Sequence, residues 1–129
     1  HVTVPFFSVV LRRGYGLGAM AMARGGFHES FFTTSWPTGE FGGMGLEGAV
    51  KAGFRKELEA IEDPVERQAL YDKLVAKMYE RGKAIAIGAY MEIDSVIDPA
   101  DTRRWVLRGL KSASPQAKQK NDHLYVDSW

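Results

Sequence analysis

The first pattern along the chain is a nearly unbroken apolar run, Val4 to Leu11, of the kind shown by a strand covered on both faces. Three glycines at alternate positions follow in RRGYGLGAM. They lead into AMAMA, whose small and unbranched residues predict a helix packed closely against its neighbours. The glycine pair of ARGGFHES marks a loop, after which FFTTSW reads as a second strand stopped by Pro37. Strand, short helix and strand in that order predict a βαβ unit with parallel strands.

From Gly42 to about Ala89 the period becomes helical. In LEGAVKAGFRKELEAI, Leu46, Ala49, Val50, Phe54, Leu58 and Ile61 recur at spacings of three and four and predict an amphipathic helix. Asp63 before Pro64, with Glu66 three residues after the aspartate, marks a fresh helix start. That helix is expected to gather Leu70, Leu74, Met78 and Ile85 on one side and to leave Arg67, Lys73, Lys77 and Glu80 in solvent. SVID reads as a short strand, and Asp98-Pro99 repeats the cap-then-proline start before a last helix carrying Trp105, Val106 and Leu110. The stretch from Ser112 to Trp129 is polar. The expected organisation is therefore one body over residues 1–111 and a mobile tail over 112–129. No internal repeat is visible.

Composition narrows the function classes. The 129 residues suit one domain, and 45% hydrophobic content can fill a core. Seventeen Lys and Arg against sixteen Asp and Glu leave a net charge of +1, which gives no reason to expect a nucleic-acid or acidic-membrane partner. Without cysteine there is no disulfide framework, thiolate nucleophile or zinc–thiolate site, and a reducing, cytoplasmic setting is expected. No run approaches the roughly 18 apolar residues of a membrane span. HVTVPFFSVV lacks a basic region and a cleavage pattern, so it reads as a strand without a lead-in, as if the chain began partway through a larger protein.

The glycine segment is the main candidate for chemistry. Gly14, Gly16 and Gly18 superficially suggest a dinucleotide-binding loop, but the next strand ends in Ser35-Trp36-Pro37 without the acid that would hold a ribose. A Walker loop is excluded, because no Gly-Lys-Ser/Thr occurs. A glycine turn that opens a helix also leaves backbone N–H groups pointing outward at the positive end of the helix, where they can hold a developing negative oxygen. The same glycines could equally serve only to bring helix and sheet close together. Other constellations are thin. His1, His28 and His123 are scattered, and Ser8, Ser30 and Ser35 sit in no nucleophile elbow. Met20 and Met22 read as core residues or as the lining of an apolar pocket.

Three motifs, VVLRRGYGLGAMAMA, SWPTGEFGGMGLEGAV and SVIDPADTRRWVLRGL, together resemble the C-terminal part of the carboxyltransferase (beta) subunit of biotin-dependent acyl-CoA carboxylases, over about residues 4–111. The resemblance implies an α/β fold, part of a ClpP/crotonase-like ββα superhelix with a helical C-terminal portion. It implies transfer of a carboxylate from carboxybiotin, presented by a biotin carboxyl carrier and charged by a biotin carboxylase subunit, to the α-carbon of an acyl-CoA such as acetyl- or propionyl-CoA. It places a backbone oxyanion hole for the biotin ureido oxygen at Leu17 and Gly18, or at Gly18 and Ala19 with a slip of one residue. Gly16 would belong to the same substrate-binding turn, and Met20 would line the acyl pocket. Trp36, Pro37, Glu40 and Met44 would frame the second motif structurally.

Departures accompany the match. Leu17 and Met20 differ from many propionyl-type members, so the family's acyl preference does not carry over. The family's N-terminal domain, with the CoA-binding half and the other oxyanion hole, has no counterpart in these residues. The chain is thus expected to be a fragment that does not turn over alone and that works in a homo-oligomer. Two other readings stand beside this one: a non-catalytic, self-associating α/β module, and a crotonase-type hydratase or isomerase, which would need a glutamate pair not found near the turn.

Overall fold

The computed structural model describes residues 4–113. Its strands form two parallel sheets. Phe7–Val10 (β1), Phe32–Ser35 (β3) and Ser95–Val96 (β5) make the first in the order β1-β3-β5, while Arg13–Tyr15 (β2) and Glu40–Gly42 (β4) make the second. Phe7 pairs with Phe32 and Val10 with Ser35. In the second sheet Arg13 pairs with Glu40 and Tyr15 with Gly42. The chain thus gives one strand to each sheet, then a helix, Gly16–Met22 (α1), and repeats the cycle with β3, β4 and the helices that follow. This is the ββα winding that the resemblance implies. The expected parallel pairing of the first two long strands is present, but β2 stands where the sequence reading ran the glycines straight from strand to helix.

The middle strand β3 is wholly buried although three of its four residues carry hydroxyls. Most of the polar load is satisfied locally: Thr33 Oγ1 donates to the Phe27 carbonyl at 2.5 Å, Ser35 Oγ to the Val10 carbonyl at 3.1 Å, and the Thr33 N–H to Asp94 Oδ2 at 2.7 Å.

Helices Leu46–Gly53 (α2) and Arg55–Glu59 (α3) replace the single helix expected there. Gly53 ends the first and Phe54 leaves the helical region at φ −113°, ψ 24°. Pro64–Gly82 (α4) starts as predicted, with Asp63 Oδ1 accepting from the Val65 N–H at 3.0 Å. The helical reading to Ala89 does not hold: Gly82 packs against the Phe41 carbonyl, Lys83 turns extended, and the Ala84 N–H donates to the Gly39 carbonyl at 2.9 Å. A separate helix, Ala84–Ala89 (α5), follows. Ile85 therefore leaves the expected apolar face and lies 70% exposed.

Asp98 caps a 3-10 turn, Pro99–Asp101, by accepting from the Ala100 N–H at 2.8 Å, and Thr102–Ser112 (α6) continues from it. Gly109 brings α6 onto β1 and β3, because an added Cβ would lie 2.7 Å from the Phe7 ring and 2.8 Å from the Phe32 ring. Those two rings stack at 4.8 Å, with Trp105 edge-on to Phe32 at 5.6 Å. A second cluster, Phe41, Ala84 and Ile93 with Val10, Phe27, Ile87 and Val96, joins the two sheets to α5. The expected tail falls almost entirely outside the described residues; its first two residues, Ser112 and Ala113, finish and cap α6.

Trp36 Nε1 donates to Thr102 Oγ1 at 2.9 Å and ties the end of β3 to the start of α6. Trp36→Phe is expected to lower unfolding free energy by about 1 kcal/mol with little change of fold, measurable by urea titration.

Candidate functional site

The site begins with the backbone between β2 and α1. Tyr15 is extended at φ −110°, ψ 134°, and Gly16 is left-handed at φ +61°. Glycine is required at position 16 twice over: the dihedral disfavours L side chains, and an added Cβ would lie 3.0 Å from the Gly43 carbonyl oxygen. The N–H groups of Leu17 and Gly18 fall in the first turn of α1, where no helical carbonyl is available to them, whereas the Ala19 N–H stands four residues after Tyr15, whose carbonyl accepts the first bond of the helix. Gly18 has open space on its side-chain face, with nothing within 4 Å of an added Cβ.

Helix α1 does not pack as AMAMA predicted. None of its residues is buried: Leu17 is 82% and Met22 79% exposed, so neither belongs to the core. The helix is instead a partition. On one side lies a cleft of about 420 Å³ lined by Gly14, Gly16, Leu17, Met20, Phe27, Phe41, Gly42, Gly43, Ile87, Tyr90 and Glu92. On the other, Gly18, Ala19 and Met22 border a groove along β1 and Arg12–Tyr15. Gly16, Leu17 and Met20 are thus brought together at one cleft, while Gly18 and Ala19 face the neighbouring groove. The pair His28 and Glu29 lies exposed in its loop, outside both lining sets.

Several lining residues were not expected from sequence. The glycines of FGGMG carried a signal, since they sit where the backbone of β4 must approach the Gly16 turn. Ile87, Tyr90 and Glu92 had none, because only the break at Lys83 swings α5 toward α1.

The turn is braced from below. Tyr15 Oη donates to Glu40 Oε2 at 2.9 Å across the β2–β4 pair, and Arg13 Nε lies 3.7 Å from the same carboxylate oxygen. Burial of the phenol, then its hydrogen bond to the Glu40 carboxylate, pushes the Tyr15 pKa up to about 12. The folded state therefore binds the phenolic proton more tightly than the unfolded chain. The resulting stability is complete below about pH 10 and is lost as pH rises from 10 toward 12. Denaturant titrations between pH 8 and 12 are expected to show this alkaline loss, and Tyr15→Phe to reduce its slope.

Among the described residues no group of acidic or histidine side chains could hold a metal ion, and no helix is long and apolar enough to cross a membrane. What the site offers is main-chain donors beside an apolar cleft. Such an arrangement can stabilise an oxygen that gains negative charge, without a side-chain base or nucleophile.

Comparison with known proteins identifies the family. The model of the carboxyl transferase domain matches residues 1–124. The chain is 37% identical over 111 residues to the methylmalonyl-CoA carboxyltransferase 12S subunit of Propionibacterium freudenreichii subsp. shermanii, covering 86% of the chain and 21% of that protein. It is 32% identical over 123 residues to the propionyl-CoA carboxylase carboxyltransferase subunit of Haloferax mediterranei, covering 95% of the chain and 23% of the relative. Among solved structures, a single-chain, multi-domain long-chain acyl-CoA carboxylase matches 82% of the chain and 10% of its own length, at 54% identity and a TM-score of 0.67. The transcarboxylase 12S hexamer, with methylmalonyl-CoA and methylmalonic acid bound, matches 92% of the chain and 24% of its own, at 34% identity and a TM-score of 0.73. The chain spans less than a quarter of the two curated relatives.

Proposed function

The chain belongs to the carboxyl transferase domain family, the carboxyltransferases of biotin-dependent carboxylases, and on that premise we propose that it supplies one oxyanion hole and part of the acyl pocket of an acyl-CoA carboxylase. The observation that carries this reading is the left-handed Gly16, which opens α1 so that its first amides emerge beside an apolar cleft. Carboxybiotin supplies the carboxylate to be transferred, on a carrier that reaches this site. The N–H groups of Leu17 and Gly18 then hold the ureido oxygen as it gains negative charge; Ala19 replaces Leu17 if the donors sit one residue later. Their contribution needs no reorientation, because Gly16 and the Tyr15–Glu40 brace fix the turn beforehand. Leu17 and Met20 give the acyl group an apolar wall.

The acceptor half of the reaction requires more. Deprotonating the α-carbon of a thioester creates an enolate oxygen that needs its own donors, and the CoA moiety needs a binding surface. We assign both to the remainder of a full-length carboxyltransferase, since the chain covers 21% and 23% of its curated relatives. On this reading residues 1–111 are the C-terminal portion of a carboxyltransferase domain and do not turn over alone. Homo-oligomeric assembly in the cytoplasm completes the site.

The test is incorporation of labelled bicarbonate into acyl-CoA by the full-length gene product with a biotinylated carrier and biotin carboxylase. Biotin-dependent label in the acyl-CoA is expected. Absence of label with every thioester from acetyl- to dodecanoyl-CoA would overturn the reading, and turnover by the 129-residue chain alone would overturn its dependence on further residues.

A further inference from the structure

Building on the carboxyltransferase reading, we propose that Glu40 is a positioning residue for carboxyl transfer: its carboxylate holds the Tyr15 phenol and so aims the Leu17 and Gly18 N–H groups at the biotin oxygen. Alternation along the two short strands brings these groups together. In the β2–β4 pair Arg13 stands opposite Glu40 and Tyr15 opposite Gly42, so Arg13, Tyr15 and Glu40 share one face while Gly14 and Phe41 turn to the other. Gly42 adds no side chain to the shared face, and the Tyr15 ring reaches diagonally along it to Glu40. A Cβ at Gly42 would lie 3.6 Å from Tyr15 Cδ1.

Tyr15 is the residue through which such a hold acts on the donors. It is the N-cap of α1, directly before the left-handed Gly16, and its carbonyl accepts the first bond of the helix. Strand β2 ends at Tyr15, and no side chain caps the first N–H groups of α1. A rotation of the Tyr15 backbone passes through Gly16, which has no Cβ to resist it, into the amides of Leu17 and Gly18. The bond from the phenol to Glu40 opposes that rotation.

Glu40 is itself fixed. Its N–H donates to the Arg12 carbonyl at 2.5 Å, and Arg13 Nε lies 3.7 Å from the same Oε2 that accepts from Tyr15. Glu40 also bridges to Lys83, where α4 gives way to α5, beside the bond from the Ala84 N–H to the Gly39 carbonyl. The carboxylate therefore moves only with the frame of β4. A second pair of the same kind, Tyr79 Oη to Glu47 Oε1 at 2.6 Å, joins α4 to α2 and makes no bond to the turn. It is an internal control.

The test measures carboxylation by the full-length enzyme with biotinylated carrier and biotin carboxylase in excess, using the thioester that wild type carboxylates fastest between acetyl- and dodecanoyl-CoA. Tyr15→Phe and Glu40→Leu are each expected to lower kcat about tenfold with KM for the thioester nearly unchanged, since misplaced donors slow the reaction without weakening thioester binding. Glu40→Gln keeps an acceptor for the phenol and is expected to recover most of the loss. Tyr79→Phe removes a like bond and is expected to keep the wild-type kcat. In a Gly18→Pro background, Tyr15→Phe should lower kcat by less than about threefold, because a donor that it positions is already gone. An unchanged kcat in Tyr15→Phe overturns the positioning role, whether or not Glu40→Leu folds. So does an equal loss in Tyr79→Phe, a Glu40→Gln loss as large as that of Glu40→Leu, or the full loss persisting in the Gly18→Pro background. A wild type that carboxylates no thioester overturns instead the reading on which this role rests.

Discussion

Replacing Gly18 by proline in the full-length protein is expected to lower carboxyl transfer by about 10²-fold or more while far-UV circular dichroism remains native. Both possible placements of the oxyanion hole use the Gly18 N–H, and proline removes it. Loss of one preorganised donor in such a hole typically costs about 10²- to 10³-fold in rate. The fold should tolerate the change, because Gly18 lies in the first turn of α1, where proline removes no helical hydrogen bond. A Cβ added at this position meets nothing within 4 Å beyond its own helix and chain neighbours. Gly18→Ala keeps the N–H and is expected to lose much less, which separates the donor from the shape of the turn. Equal loss in both variants would make position 18 a packing site.

Gly82→Ala is expected to destabilise the protein by roughly 3 kcal/mol, the upper end of what overpacking ordinarily costs. The added Cβ would meet the Phe41 carbonyl oxygen, with Leu46 Cδ1 at 3.6 Å behind it. Backbone cannot swing aside as a flexible side chain could. Either the end of α4 or strand β4 must shift, and both position the cleft: β4 through Phe41, Gly42 and Gly43, and α4 through the α5 helix that it feeds. Urea denaturation should therefore show the loss of stability, and activity at low temperature should fall as well. Wild-type stability in this variant would mean that the close approach of Gly82 to β4 is not maintained in solution.

What sequence reveals about this fold depends on whether the determining contacts are local. The two Asp-Pro starts were legible because capping and proline geometry act within three residues, and both caps are formed. The first strand pair was legible from the apolar run Val4 to Leu11 and from the β-favouring FFTTSW stopped by Pro37. Strands β2 and β4 were not: each has three residues, two of the six are glycine, and their stability comes from pairing across 27 positions, as Arg13 with Glu40. The break after Gly82 was hidden for a similar reason, since the Gly39 carbonyl and the Phe41 backbone, both distant in sequence, outweigh continued helical periodicity.

The candidate site divides along the same line. Its turn could be read from the glycines, because left-handed backbone and close main-chain approach select that residue directly. The methionines left two readings open, since apolar residues in a helix resemble core whether they meet protein or line a cleft. Met20 is 42% exposed and lines the cleft; Met22 is more exposed still and borders the groove along β1. The far wall at Ile87 and Tyr90 depends on tertiary placement of α5 and left no local mark.

The most direct measurement is the isolated half-reaction: transfer of labelled carboxylate from a carboxylated acyl-CoA to free biotin by the full-length gene product, with no biotin carboxylase or ATP present. The account predicts label in biotin that depends on both substrates. Label that stays in the thioester, with the protein folded and the thioester intact, would contradict it.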